Sequence, residues 1–214
     1  MTSDVKEMFA IYTSNGMRSM PIYGIKDGCK HTRITCAGHC FGKVPTTEHW
    51  PEKPRFKQDD FHDDCNIALI MGKQFDGRWF VGIDIDGGLD LKSHFEYPET
   101  LECTTRRGRH LVFEVPPDTP LGNWTNALDT INKKIGYRDG VQAAVDVKYC
   151  RGAMVSPPSV SSSGERYRWV RFMKPAMLPA QAIEYLIKKR KKAYPLVPRY
   201  RRWSHNPAHK GQKP

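Results

Sequence analysis

The stretch Phe80-Val81-Gly82-Ile83-Asp84-Ile85-Asp86-Gly87 decides the fold. In an extended strand, successive side chains point to opposite faces. Asp84 and Asp86 therefore share one face, and Val81, Ile83 and Ile85 share the other, which faces a core. Carboxylates so close to an apolar core are costly unless positive charge sits among them, and a divalent metal supplies it. A third acid repeats the pattern in Ala144-Val145-Asp146-Val147-Lys148, where the valines alternate with Asp146 and Lys148.

Working outward, the strands multiply. Met20 to Ile25 reads as a short strand, and Asn66-Ile67-Ala68-Leu69-Ile70-Met71-Gly72 as a buried one ending in glycine. Glu102 to Val115 reads as a hairpin with its turn at Arg106 to Gly108. In its second arm His110, Val112 and Glu114 share a face, while Leu111, Phe113 and Val115 share the other. Residues 142–148 and 151–156 are two more strands. Pro157-Pro158 breaks the run, and Arg166 to Phe172 alternates again. Thr46 to Trp50 is expected to open a short helix. Trp124, Leu128, Ile131 and Ile135 predict a helix over 124–135, with Gly136 as terminator. Ile183, Leu186 and Ile187 place a last helix from about Pro179 to Lys192, its apolar stripe docked and its basic C-terminal half free. The class is α+β with mainly antiparallel strands. Three strands carry an apolar face and an opposite face bearing chemistry: Asp84 and Asp86, then His110, then Asp146 and Lys148. As neighbours they would converge on one open sheet surface.

The 214 residues carry 39% hydrophobic and 11% aromatic side chains, enough for one sizeable domain. No apolar run approaches the roughly 18 residues a membrane span needs, and no secretion signal is read at the N-terminus. Of the 34 Lys and Arg, ten lie between Lys188 and Pro214 without an acid, so the rest of the chain holds 24 against 23 acids. The formal charge of +11 is thus concentrated in residues 193–214 and the helix end before them. Tyr194, Tyr200 and Trp203 are interleaved with that charge, a mixture that binds phosphates and stacks on bases. The tail is expected to be extended or disordered, and residues 1–192 to form the folded domain.

Three of the six cysteines fall between residues 29 and 40. Cys29-x-His31-x4-Cys36-x3-Cys40 offers four zinc donors, with His39 as a fifth, inside a loop from residue 27 to 45. A reduced flexible loop is the competing reading. A closed four-ligand zinc would be structural. Cys65, Cys103 and Cys150 stand alone beside apolar residues and are expected to be buried thiols.

An Asp-x-Asp, then Gly108-Arg109-His110 followed by Leu111-Val112-Phe113, then Val145-Asp146-Val147-Lys148, then Gly152 to Ser156 with Pro157-Pro158-Ser159, occur in that order. The sequence resembles the primase–polymerase (prim-pol) domain of the archaeo-eukaryotic primase superfamily, the bifunctional type of phages and plasmids. Gly42-Lys43-x-Pro45 and the Asn66–Gly72 run fit it too, so the resemblance covers about Met20 to Trp169. It implies a primase-like catalytic core with an RRM-like, mainly antiparallel sheet flanked by helices, preceded by an N-terminal αβ unit with the Cys/His loop. It implies Asp84, Asp86 and Asp146 as ligands of magnesium or manganese, and His110 as a contact to the phosphates of the incoming nucleotide. Arg107, Arg109, Lys148 and Lys43 are further candidates for the triphosphate. The Pro-Pro-Ser segment would be structural. Where many relatives follow the Asp-x-Asp with a non-glycine residue, Gly87-Gly88 stands here, allowing a sharp exit from the strand.

The implied activity is a DNA-dependent nucleotidyl transferase, a primase, a DNA polymerase or both, serving replication of a mobile element. Its partners would be single-stranded DNA template, nucleoside triphosphates and a replicative helicase, in the cytoplasm of a bacterial or phage-infected cell. Templated addition is an in-line phosphoryl transfer in which two divalent ions about 3.5–4 Å apart serve the attacking and leaving oxygens. Such ions prefer oxygen donors, hence carboxylates. Two alternatives compete. A metal-dependent nuclease or replication initiator of the rolling-circle kind would need a His-hydrophobe-His triplet, which the sequence lacks. A non-catalytic, zinc-containing nucleic-acid-binding module would leave three strand-borne aspartates without a purpose.

Overall fold

The structure, a computed structural model, describes residues 5–27, 42–62, 64–125, 127 and 144–193. The Cys/His loop, most of the helix expected over 124–135 and the basic tail lie outside the described residues. Helix α1 (Val5–Ser14) comes first. Strands β1 (Ser19–Ile22), β2 (Asn66–Ile70), β3 (Gly72–Lys73), β4 (Trp79–Asp86), β5 (Leu101–Thr104), β6 (Gly108–Val115), β7 (Ala144–Lys148), β8 (Ala153–Ser156) and β9 (Arg168–Arg171) follow, and helix α2 (Ala180–Ala193) closes the fold. All strand pairings are antiparallel.

Two sheets form. The smaller runs β1-β2-β8; the larger runs β3-β4-β6-β5-β9, with β7 also on β4. The alternation read from β4 sorts the core into two layers. Val81, Ile83 and Ile85 pack with Leu111, Phe113, Val145 and Val147 beneath α2, which contributes Ala182 and Leu186. Burying each such aliphatic side chain stabilises the fold by about 1.5–3 kcal/mol. On the opposite face, Phe80 and Val112 join Ile67, Leu69 and Met154 of the smaller sheet. The chemistry-bearing face is therefore not an open surface. The smaller sheet covers its lower half, approaching so closely that a Cβ at Gly82 would lie 1.7 Å from Met154 Sδ.

Other departures have local causes. Thr46 to Trp50 forms turns instead of a helix, because Pro45 and Pro51 bracket it and a residue preceding proline is driven out of helical geometry. Trp124 pairs with Val147 in an isolated bridge. The basic end of α2 is not wholly free: the Arg190 guanidinium lies 5.3 Å from the Trp124 ring centre and bonds the Pro120 carbonyl. The resemblance implies an N-terminal αβ unit without placing its helix, and α1 lies before β1. Its Phe9 and Tyr12 are buried against the smaller sheet, and the Tyr12 hydroxyl donates to the Pro157 carbonyl. Cys65 and Cys103 are buried as expected, whereas Cys150 is exposed. Among the described residues no helix is long and apolar enough to cross a membrane.

Candidate active site

Register assembles the site. Asp84 on β4 lies directly opposite Asp146 on β7 and opposite His110 on β6. His110 in turn lies opposite Cys103 on β5. Directly paired side chains on one sheet face are neighbours, so a row runs Asp146, Asp84, His110, Cys103 across four strands. Asp86 is two residues along β4 on the same face. Gly87 and Gly88 then take φ of +72° and +67°, turning the chain away at the site's rim.

His110 is nearly inaccessible, with 7% of its surface exposed. Its Nδ1 lies 3.0 Å from the Val155 carbonyl on β8, and its Nε2 lies 3.2 Å from Asp84 Oδ1. Two acceptors around one imidazole call for two N–H donors, the protonated ring. Burial resists that charge, but the Asp84 carboxylate overcomes it and lifts the His110 pKa to about 10. Burial likewise opposes the Asp84 charge, yet His110, and more weakly Lys148 and Lys43, hold its carboxyl below the usual value. Asp86 goes the other way, pushed up by burial and then by the Asp84 charge.

A cleft opens over this face. Asp84, Asp86 and His110 form its acidic and imidazole floor, while Lys43, Arg106 and Arg107 supply cations. Thr105, Ser161, Ser162 and Tyr167 add hydroxyls. The Tyr167 ring packs on His110 with centres 5.8 Å apart, and burial raises its phenol pKa, with Asp84 next in effect.

Of the expected residues, Asp84, Asp86, His110, Arg107 and Lys43 thus share one cleft, and Asp146 joins them by register. Two others are placed elsewhere. Arg109 follows the alternation to the far face, where it pairs with Glu102 at 3.5 Å and reaches the Tyr97 hydroxyl. Lys148 bonds Asp146 at 3.2 Å and lines a separate groove with Trp124 and Arg190. Thr105, Arg106, Ser161, Ser162 and Tyr167 were not among the candidates. Arg106 was quoted only as part of the basic turn, whereas the serines reach the site through a loop that the strand pattern does not locate.

The donor set can be tested against a divalent ion. Asp84 and Asp86 offer oxygen donors only, on one strand face, and burial, then the Asp84 charge, raises Asp86; a hard cation between them would offset that repulsion. Magnesium or manganese fits such donors better than zinc. Among the described residues no three Asp, Glu, His or Cys side chains are already gathered for a metal. Asp84 turns one oxygen to His110 and Asp146 turns one to Lys148. Cys29, His31, Cys36 and Cys40 lie outside the described residues.

An antiparallel α+β core with an acid–imidazole row under a cationic cleft is the class of structure expected of a nucleotide-handling enzyme. Residues 10–181 match the family described as Prim-Pol, bifunctional DNA primase/polymerase, N-terminal, and the chain belongs to that family. Membership carries primase/polymerase activity in general terms, with DNA template and nucleotides as substrates. No curated protein matches the chain closely enough to be named as a relative.

Proposed function

We propose that the cleft binds a nucleoside triphosphate and that the chain adds nucleotides to DNA-templated strands by phosphoryl transfer assisted by two divalent ions, as a primase, polymerase or both in a mobile element's replication. The observation that carries this reading is the register that sets Asp146, Asp84 and His110 in one row, with Asp84 and His110 lining a cleft that also holds Lys43, Arg106 and Arg107. Asp84 and Asp86 would hold magnesium or manganese, with Asp146 as third carboxylate. Bound there, the ions would activate the attacking hydroxyl and neutralise charge on the phosphates. The protein's own part is positioning and electrostatics. His110, anchored through Nδ1 on Val155 and paired through Nε2 with Asp84, would set a positive charge in the cleft floor that offsets phosphate charge. Lys43, Arg106 and Arg107 offset the remaining negative charge. The zinc clip of Cys29, His31, Cys36 and Cys40 would staple the loop before Lys43. The tail would hold DNA, and a helicase would act alongside.

Incubation with primed and unprimed single-stranded template, nucleoside triphosphates and Mg²⁺ or Mn²⁺ tests the proposal. Synthesis is expected, with loss in Asp84→Ala and Asp146→Ala proteins that still bind DNA. DNA binding without any synthesis by the wild-type chain would overturn it.

A further inference from the structure

We propose that Asn66 is a positioning residue of the nucleotide cleft: its one buried amide ties the loop that carries Lys43 to the loop that carries Ser161 and Ser162. This rests on the reading of the cleft as a nucleotide site. Asn66 opens β2 and is 4% exposed. Its Nδ2 donates to the Gly42 carbonyl at 3.1 Å and to the Val160 carbonyl at 2.8 Å, and its Oδ1 accepts from the Val160 N–H at 2.9 Å. Three backbone groups, from segments 24 positions before and 94 positions after it, thus end on one side chain. The residues that follow those groups are Lys43 and Ser161, both lining the cleft.

Gly42 supports the tie independently. Its φ is +73°, and a Cβ there would come within 2.7 Å of Asn66 Nδ2 and 3.0 Å of the Val160 carbonyl. The loop backbone rests directly on the amide, with room for no other residue. Next door, the Ser159 hydroxyl accepts from the Ile67 N–H and donates to the Ile67 carbonyl, both at 2.9 Å, which secures the second loop to the same strand. Only a primary amide offers two donors and an acceptor in one plane. Aspartate in its place would keep the shape and the bond to Val160 N–H, but would set a carboxylate oxygen against two carbonyls.

Lys43 sits one residue beyond the clamp with an exposed, flexible side chain. The backbone at Gly42 therefore sets where that side chain starts and which part of the cleft its ammonium can reach. The clamp should act on nucleotide binding and not on the chemical step.

The test compares steady-state extension with dATP as varied nucleotide, direct dATP affinity and thermal unfolding, for the full chain and for Asn66→Asp, Gly42→Ala, Lys43→Ala and the Asn66→Asp/Lys43→Ala pair. Asn66→Asp and Gly42→Ala should each raise KM for dATP about tenfold, the scale of one lost charge-assisted contact, with kcat within about threefold. Lys43→Ala should raise KM similarly and add little on top of Asn66→Asp, because residues acting as one unit are not additive. If kcat and unfolding temperature fall while KM holds, or if Lys43→Ala adds its full effect in the pair, the positioning role is refuted. Should Asn66→Asp not fold, Gly42→Ala, which keeps the amide's donors and acceptor and shifts only the loop that rests on it, decides on the same criteria. A wild-type chain that binds no dATP overturns the nucleotide reading itself, and this role with it.

Discussion

Replacing Gly108 by alanine should separate the strands that hold the site. Gly108 begins β6 opposite Asp86. A Cβ there would lie 1.8 Å from the Ile85 carbonyl oxygen and 3.2 Å from the Asp86 Cα. Both obstacles are backbone, so no side-chain rotation relieves them, and β4 and β6 must move apart by well over an ångström to bring 1.8 Å to the 3.4 Å of ordinary contact. Overpacking of this kind costs about 1–3 kcal/mol. At about 2–4 °C per kcal/mol for a domain of this size, the melting temperature should fall by about 2–12 °C. The displacement falls on Asp86, and a shift of that size at a reacting centre lowers rates by as much as about a hundredfold. Thermal unfolding by circular dichroism and primer extension measure the two effects. Gly77→Ala is the control: nothing lies within 4 Å of its Cβ, and only its φ of +88° opposes the change, so extension should survive. If Gly108→Ala melts with the wild type and extends at the same rate, the close approach does not set strand spacing at the site.

Three further outcomes are expected. Tyr12→Phe leaves the Pro157 carbonyl without its donor, and urea unfolding should register a loss of about 1–3 kcal/mol, with no change refuting the contact's worth. Asp60 is held below the usual carboxylate range, since the Lys57 N–H and Lys53 outweigh the effect of burial; its stabilisation is present above about pH 3.9 and is lost as pH falls through the lower folded value, so Asp60→Asn should flatten the acid limb of the stability curve. An acid limb identical to that of the wild type would count against this assignment. Deleting residues 193–214 should weaken DNA binding most at low salt and leave the fold intact, while an unchanged affinity and salt slope would show the tail to be idle.

The strand-borne part of the site was legible because period-two alternation is local. Asp84, Asp86, His110 and Asp146 all fell on the face that the pattern assigned them. The same rule was enough to exclude Arg109, the immediate neighbour of His110, and its charge drew it into the candidate list against the geometry. Val5, Met8, Phe9 and Tyr12 stand at helical spacing and announce α1, a signal present in the sequence and passed over. Tyr167, Ser161 and the covering of Phe80 and Val112 were not legible. They depend on how β8 and the loop after it return to β2, a tertiary contact that no local period encodes. Lys148 falls on the face that the pattern assigned it and bonds Asp146, while its place on β7 also sets it in a groove with Trp124 and Arg190.

The row from Asp146 to Cys103 is built from strand interiors alone. Residues 116–143 join two of those strands, β6 and β7, without supplying any member of the row. Insertions and deletions there can accumulate with little penalty to closure, since doubling a loop costs only about 0.6 kcal/mol. A two-residue slip in any one strand would instead dismantle the row. Divergence in such a fold is thus channelled into that connection, whose length can change while the row keeps its register.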